Sequence, residues 1–359
     1  MNPIFILAST AIHPQPQDFP RALSPLIQEG LRCCEPDYSQ LIPAGQLRRM
    51  SRVLRMGVYA GMDCLRKAGI SRPDGIITGT GKGSMSDTEK FVRELNTYQE
   101  EALNPTPFIL STYNAINGAL ALQTQATGYN QTYVHRGCSF EWSLYDAQLK
   151  LQDADTSHML VGSFEELTSE YFLIKNKIGY WKKTVAEQVA LWQQANTSGT
   201  IAGEGSAFFV LSDQPQTATM CIHAVRTASQ PEQITQFIQQ ALKDQQWEWE
   251  DIDLLVLGNN GAQEDELPYN ELFEKAAANI PIIAFKHLCG EYETSGSFAL
   301  WLMHQWSLGQ PIPDPVWIRK PEATSVCKKI LVYNHYRNTN HNVLLLENIS
   351  PSGQYHKIN

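Results

Sequence analysis

Short apolar runs bounded by glycine and polar residues alternate along this chain with longer segments whose apolar residues recur at helical spacing. That alternation points to an α/β architecture, because strands that turn into helices and back again build a sheet covered by helices. "PIFILASTAI" reads as a first buried strand and "DGIITGTG" as a second that enters a glycine-rich turn. Between them, Met50, Leu54, Val58, Met62 and Leu65 share one face of an amphipathic helix expected over residues 47–69, with Gly69 as its stop. "STYNAINGALALQTQATG" predicts a helix closed by Gly128, "QTYVHRG" a strand, "SFEWSLYDAQLKLQ" a helix, and "SHMLVGSFEE" and "GEGSAFFVLSD" two further strands.

The scheme then repeats in shorter form. "ATMCIHAVRTA", "DIDLLVLGNNG" and "IPIIAF" predict strands separated by helices in "PEQITQFIQQALKDQ" and "ELPYNELFEKAAA". "GSFALWLMHQWSLG" adds a helix, and "KKILVYNH" and "HNVLLLEN" supply the last strands. The loop from Gln214 to Thr217 is the expected junction, giving an N-terminal half over 1–213 and a C-terminal half over 214–359, alike in architecture but without a sequence repeat of fixed period.

At 359 residues, with 43% hydrophobic and 18% charged residues, the chain has enough apolar material for a large core. Its formal net charge of −9 argues against general affinity for nucleic acid or an anionic membrane, since both need concentrated Lys and Arg. No basic residue precedes the first apolar run and no longer apolar span follows it, so neither a secretory leader nor a membrane span is expected. The seven cysteines (Cys33, Cys34, Cys64, Cys138, Cys221, Cys289 and Cys327) are an odd number without a Cys-x-x-Cys pair, and the cytoplasm is the expected compartment. The histidines are scattered without metal-ligand spacing, so no metal is expected.

Cys138 lies in "VHRGCSFEWSLYDAQLK", between a glycine and a serine, where a strand turns into a helix. A helix start offers unpaired N–H groups and the positive end of the dipole, which stabilise a thiolate and can hold a developing oxyanion. Free cysteines are also among the most buried residues, so position alone leaves nucleophile and core residue both open.

The ordered set of a glycine-rich turn after an early strand, a helix opening "STYNAING", a cysteine at a helix start, "MLVGSFEE" and "GTIAGEGSAFFVLSD" resembles the β-ketoacyl synthases, thiolase-fold condensing enzymes, from about Ile4 to Glu347. The resemblance implies a thiolase-like fold of two similar α/β halves, layered α-β-α-β-α, with Cys138 as the acyl-accepting nucleophile. It also exposes departures. Where the family carries His-Gly-Thr, this chain has Asn260 and Gly261; where it carries Lys-x-x-x-Gly-His, "KHLCGEYETSG" gives Lys286, Gly290 and Glu291. Both histidines that hold the thioester carbonyl and help expel carbon dioxide are thus replaced, and "GSFALWLM" offers Lys286 no acidic partner.

The family's Gly-Phe-Gly-Gly-Thr-Asn turn becomes the bulky, basic "HYRNTN". By that correspondence Tyr336 stands at the aromatic gate, Asn340 closes the turn, and His335 is expected near the sulfur as a general base, with His287 a weaker candidate. Arg48, Arg49, Arg52 and Arg55, on the helix expected to begin near Leu47, match the place where related synthases dock acyl carrier protein, an acidic partner. The acyl group would arrive on that protein's phosphopantetheine, so no cofactor is expected in the chain itself.

The leading expectation is a β-ketoacyl synthase-like acyltransferase of fatty-acid, polyketide or polyene-type lipid biosynthesis. It would form a homodimer, or a heterodimer with a homologous synthase, through the strand before Cys138. The alternative is a non-catalytic partner subunit resembling a chain-length factor: the retained Cys138 favours the first and the lost histidines the second. An unrelated cysteine hydrolase has little motif support.

Overall fold

The first apolar run forms β1 (Ile4–Ile12), and strand and helix alternate from there as the periodicity predicts. The computed structural model describes residues 1–350 apart from 100, 102, 188, 277–279 and 322–326. After β1 come α1 (Ala44–Leu47), α2 (Arg52–Ala68), β2 (Gly75–Gly79), α3 (Met85–Tyr98), α4 (Pro105–Leu110) and α5 (Ala115–Thr124). They are followed by β3 (Tyr129–Tyr133), α6 (Ser139–Lys150), β4 (His158–Glu165), α7 (Ser169–Lys177) and β5 (Gly205–Ser212). The second half runs β6 (Met220–Ser229), α8 (Ile234–Asp244), β7 (Leu254–Leu257), α9 (Leu267–Lys275), β8 (Ile282–Ala284) and α10 (Lys286–Cys289), then α11 (Gly296–Ser307), β9 (Trp317–Arg319), β10 (Lys329–Tyr336) and β11 (Asn340–Asn348).

The strands run in the order β3-β2-β4-β5-β1-β6-β11-β10-β7-β8-β9. Between β1 and β6 the ladder is only Ile4–Ile6 against Met220–Ile222, so two mixed sheets share one short seam. Three hydrophobic clusters show how they stack. Ile77, Val161 and Phe209 of one sheet and Val256, Val332 and Leu344 of the other enclose a central layer that includes Phe140 and Leu144 of α6 and Phe298 of α11. The outer face of the first sheet is covered by α2 and α5 through Val53, Val58, Ile116 and Leu120. That of the second is covered by α8 and α9 through Ile238, Leu242 and Leu272. The result is the five-layered α-β-α-β-α stack of the thiolase-like fold, each sheet buried on both sides. On β1, Ile4 and Ile6 face the centre while Ala8 and Ile12 face outward, because a bulge between Ile6 and Ala8 shifts the alternation.

Two of the helix boundaries that differ from the sequence expectation bear on the site and its neighbours. The amphipathic helix begins at Arg52 and not near Leu47: Arg49 N–H bonds back to Gln46 in a tight turn, and Ser51, a residue that favours helix starts, is extended at φ −65°, ψ 167°. Arg48 and Arg49 therefore sit in the connection between α1 and α2, while Gly69 ends α2 at φ 69° as expected. Helix α5 ends at a left-handed Gln125, before Gly128, whose missing side chain instead allows the Asp74 carbonyl to pass against it.

Candidate active site

Cys138 closes a 3-10 turn (Arg136–Cys138) and caps α6, at the point where the chain leaves β3. Ser139 Oγ fastens that turn, donating to Arg136 O at 2.8 Å and accepting the His135 N–H at 2.7 Å. Gly137 has to be a glycine, because a Cβ there would collide with Tyr336 of β10. From β11, Asn342 donates to Gly137 O at 2.6 Å, and the nearby Asn340 side chain favours the Cys138 thiolate.

The thiol is 3% exposed, and its burial, reinforced by the Glu141 carboxylate, pushes it up to about 12. Burial thus works against the expected helix-start thiolate, and the negative Glu141 side chain works in the same direction. Glu141 itself lies in the first turn of α6, fully buried, with Oε2 lacking any hydrogen-bond partner. Burial raises its carboxyl to about 8, against the pull of its own backbone N–H and of Lys286.

The two positions without histidine form a closed network. Asn260, after β7, donates through Nδ2 to Glu291 at 2.7 Å and to Asp265 at 2.8 Å, and its Oδ1 accepts the Ala262 N–H at 3.0 Å. Lys286, at the start of α10, donates to Glu291 Oε1 at 3.0 Å, to Oε2 at 2.8 Å and to His335 O at 3.2 Å. The acidic partner of Lys286 is therefore Glu291, not a residue of α11. Burial raises the Glu291 carboxyl, and Lys286 and Asn260 partly offset it. The Asn260 amide, expected to have a hydrogen bond to spare, has both N–H groups occupied.

His335 is also committed. Its Nε2 donates to Asp265 O at 2.9 Å, its Nδ1 accepts the Asn338 N–H at 3.0 Å, and the ring stacks on Tyr269 with centroids 4.6 Å apart. Burial, with Lys286 nearby, holds it neutral, so neither nitrogen is free to take a thiol proton and the expected general base is withdrawn. His287 Nδ1 accepts the Leu191 N–H at 3.1 Å and burial lowers that ring to about 4.

The "HYRNTN" segment is a tight hairpin between β10 and β11, with Arg337 and Asn338 at left-handed φ of 50° and 48°. Tyr336 points its hydroxyl at Glu293 Oε1, 3.1 Å away; Glu293 pairs with Lys82 of the glycine-rich turn, and Lys82 lies 3.4 Å from Glu165 at the end of β4. Sequence reasoning missed this second polar cluster and missed Glu141. The available signal was an acidic residue inside otherwise apolar strand and helix segments, where a charge needs a partner or a proton.

On the surface, Arg48 and Arg49 are exposed and, with Lys90, line an open cleft of about 650 Å³ bounded by α3 and α4. Arg52 departs from the expected docking cluster. It grips Glu204 through two bonds of 2.6 and 2.7 Å and also pairs with Glu35, so its charge is already matched. Among the described residues no helix is long and apolar enough to cross a membrane.

Solved structures that share this fold include three that bear on the site. The ishigamide ketosynthase/chain length factor superposes with a TM-score of 0.78 at 15% identity, over 96% of this chain and 99% of that one. A β-ketoacyl synthase from Burkholderia phymatum STM815 gives 0.76 at 15% identity over 97% and 100%. The AntDE ketosynthase, solved in complex with the type II polyketide acyl carrier protein AntF, gives 0.73 at 16% identity over 97% and 100%. No curated protein matches the sequence significantly. The profile of the β-ketoacyl synthase N-terminal domain matches residues 31–251, more than half of the chain, and with the fold and the placement of Cys138 it assigns this protein to the β-ketoacyl synthase family.

Proposed function

We propose that the chain is the non-condensing subunit of a ketosynthase-type heterodimer: it binds acyl carrier protein beside a homologous synthase, in the cytoplasm, during fatty-acid, polyketide or polyene-type lipid biosynthesis. The observation that carries this reading is the closed Lys286, Glu291, Asn260 and Asp265 network. Expelling carbon dioxide from a malonyl thioester builds negative charge on the thioester oxygen, and each preorganised donor aimed at that oxygen contributes about 3 to 4 kcal/mol. Here the Asn260 donors are spent and Glu291 brings a carboxylate to the second position.

Further support comes from the edges of the molecule. Among the described residues strand β3 pairs only with β2, and Tyr129, Asn130 and Gln131 are exposed, leaving an edge suited to a partner. The cleft with Arg48, Arg49 and Lys90 suits an acidic carrier protein. One structural relative is the ishigamide ketosynthase/chain length factor, and that pairing is the arrangement proposed here. The test is release of labelled carbon dioxide from malonyl carrier protein by the lone chain, by a histidine-complete synthase, and by the two together. The expectation is no release by the lone chain and a stable heterodimer in light scattering. Turnover by the lone chain at a rate typical of condensing enzymes overturns the reading.

A second reading, acylation of Cys138, is favoured by the unpartnered Glu141 Oε2 one helical turn from the thiol. Glu141 is ionised only as pH approaches and passes about 8; in that form it would take the thiol proton, the sulfur would attack the carrier thioester, and phosphopantetheine would leave as its thiol with that proton. Intact-mass measurement with acyl carrier proteins tests it: an acyl adduct lost in Cys138→Ala supports it, and an unmodified wild-type chain sinks it.

A further inference from the structure

Strand β6 breaks its own alternation near the seam. Met220 and Ile222 face the central core, Ala224 faces outward, and Val225 returns to the centre. The ladder with β11 explains the slip: Leu345 pairs with Ala224 and Leu346 with Ile222, so His223 is the extra residue of a β-bulge. Bulges re-aim side chains, and this one presents His223 beside Cys221 and Glu347, which pair across the two strands. Cys221 Sγ lies 3.4 Å and Glu347 Oε2 2.7 Å from His223 Nε2, and all three atoms fall within 4.8 Å of one another.

Both partners face the same ring nitrogen. A nucleophile, base and acid relay needs its carboxylate on the opposite nitrogen, so this is not a catalytic triad. Three donors around one point match a divalent metal instead, and a thiolate, an imidazole and a carboxylate match zinc. Zinc bonds of about 2.3 Å to sulfur and about 2.0 Å to nitrogen and oxygen, at a tetrahedral angle, set sulfur and nitrogen about 3.5 Å and nitrogen and oxygen about 3.3 Å apart; the observed separations are 3.4 Å and 2.7 Å, so an ion there replaces a His223–Glu347 hydrogen bond and opens that pair by about 0.6 Å. Lys328 holds the other Glu347 oxygen at 2.9 Å, leaving Oε2 as the single ligand atom, and the Trp247 ring packs on the imidazole at 4.9 Å. Such outer contacts fix ligand orientation.

We propose that Cys221, His223 and Glu347 bind one zinc-class divalent ion, with the fourth position open to solvent through the partly exposed His223 and Glu347. Binding sends the Cys221 thiol proton to solvent and leaves the His223 proton on Nδ1. The ion ties β6 to β11 next to the seam with β1. His223 and Glu347 are 124 residues apart in the chain, which is why no local spacing displays the site.

The chelator-stripped full-length protein is titrated with cobalt(II) and then zinc(II). The expected result is one equivalent of cobalt with thiolate-to-metal charge-transfer absorption, displaced by zinc, kept in Cys138→Ala and absent in Cys221→Ser. Glu347→Gln and His223→Asn are expected to weaken cobalt binding by about tenfold or more. No charge-transfer band in the wild type, or the same band in Cys221→Ser, overturns the proposal. If Cys221→Ser fails to fold, unchanged cobalt affinity in both other variants overturns it equally.

Discussion

The Lys286 ammonium lies 3.0 and 2.8 Å from the two oxygens of Glu291, with both side chains buried. A buried ion pair of this kind adds little net stability over an apolar pair of the same shape, yet losing one member strands a charge. Glu291→Gln is therefore expected to cost about 3 to 5 kcal/mol, while the double variant Lys286→Met/Glu291→Leu recovers most of that loss. Urea unfolding midpoints read both; an unchanged midpoint in Glu291→Gln shows that the network contributes nothing to the fold.

Cys138 is expected to be alkylated more slowly at pH 7 than the exposed Cys34, since its thiol is held near 12 by burial. Its labelling rate should rise about tenfold per pH unit and still be rising at pH 10, because the thiolate fraction grows that way below the pKa. Peptide mapping after timed iodoacetamide exposure measures this, and a plateau near neutral pH would contradict the buried-thiol geometry.

Glu141 makes stability depend on pH in a defined direction. Its carboxyl titrates at about 8 in the folded chain against a reference of 4.5, so between those values the unfolded chain releases a proton that the folded chain keeps. The contribution of this group is full below pH 4.5 and falls as pH rises, by about 1.4 kcal/mol per unit, levelling above the folded value. Glu141→Gln removes that slope and is expected to be more stable than wild type at pH 8. The difference between the two denaturation curves isolates Glu141 from Glu165 and Glu266, whose carboxyls burial also raises. Parallel curves would place Glu141 in water.

The arginines should separate by function. Arg48→Glu/Arg49→Glu is expected to slow and weaken carrier-protein binding, flattening its salt dependence, with stability changed by less than about 0.5 kcal/mol. Arg52→Ala should instead destabilise by about 2 kcal/mol, because Glu204 is then left buried and unmatched. Surface plasmon resonance and thermal unfolding on the same pair of variants distinguish the roles; identical profiles would mean that they share one.

The alternation of strand and helix was legible because periodicity is a local property, and helices such as α2 and α8 carry it along one face. Helices α3 and α7 were not: α7 has no apolar face at helical spacing and buries no residue completely, and α3 buries only Asp87, so neither is marked out by a core-facing stripe. At the site, Cys138 could be singled out from its position before a helix. The chemistry around it could not. What an imidazole does depends on what its two nitrogens meet, and His335 meets Asp265 O, 70 positions away, and Asn338 N–H in a left-handed turn. The resemblance placed Asn260, Lys286 and Glu291 in one pocket, but their closure on one another is set by side-chain directions across three separate loops.

The bond from Asn342 to the Gly137 carbonyl spans 205 positions of the chain. On a ribosome, α6 and the turn that precedes it emerge long before the β10–β11 hairpin has been synthesised, and N-terminal elements begin to form first. During that interval Cys138 lacks Tyr336 and Asn340 above it. The nascent polypeptide thus carries an unshielded sulfur at a helix start, and completing translation is the event that closes it off.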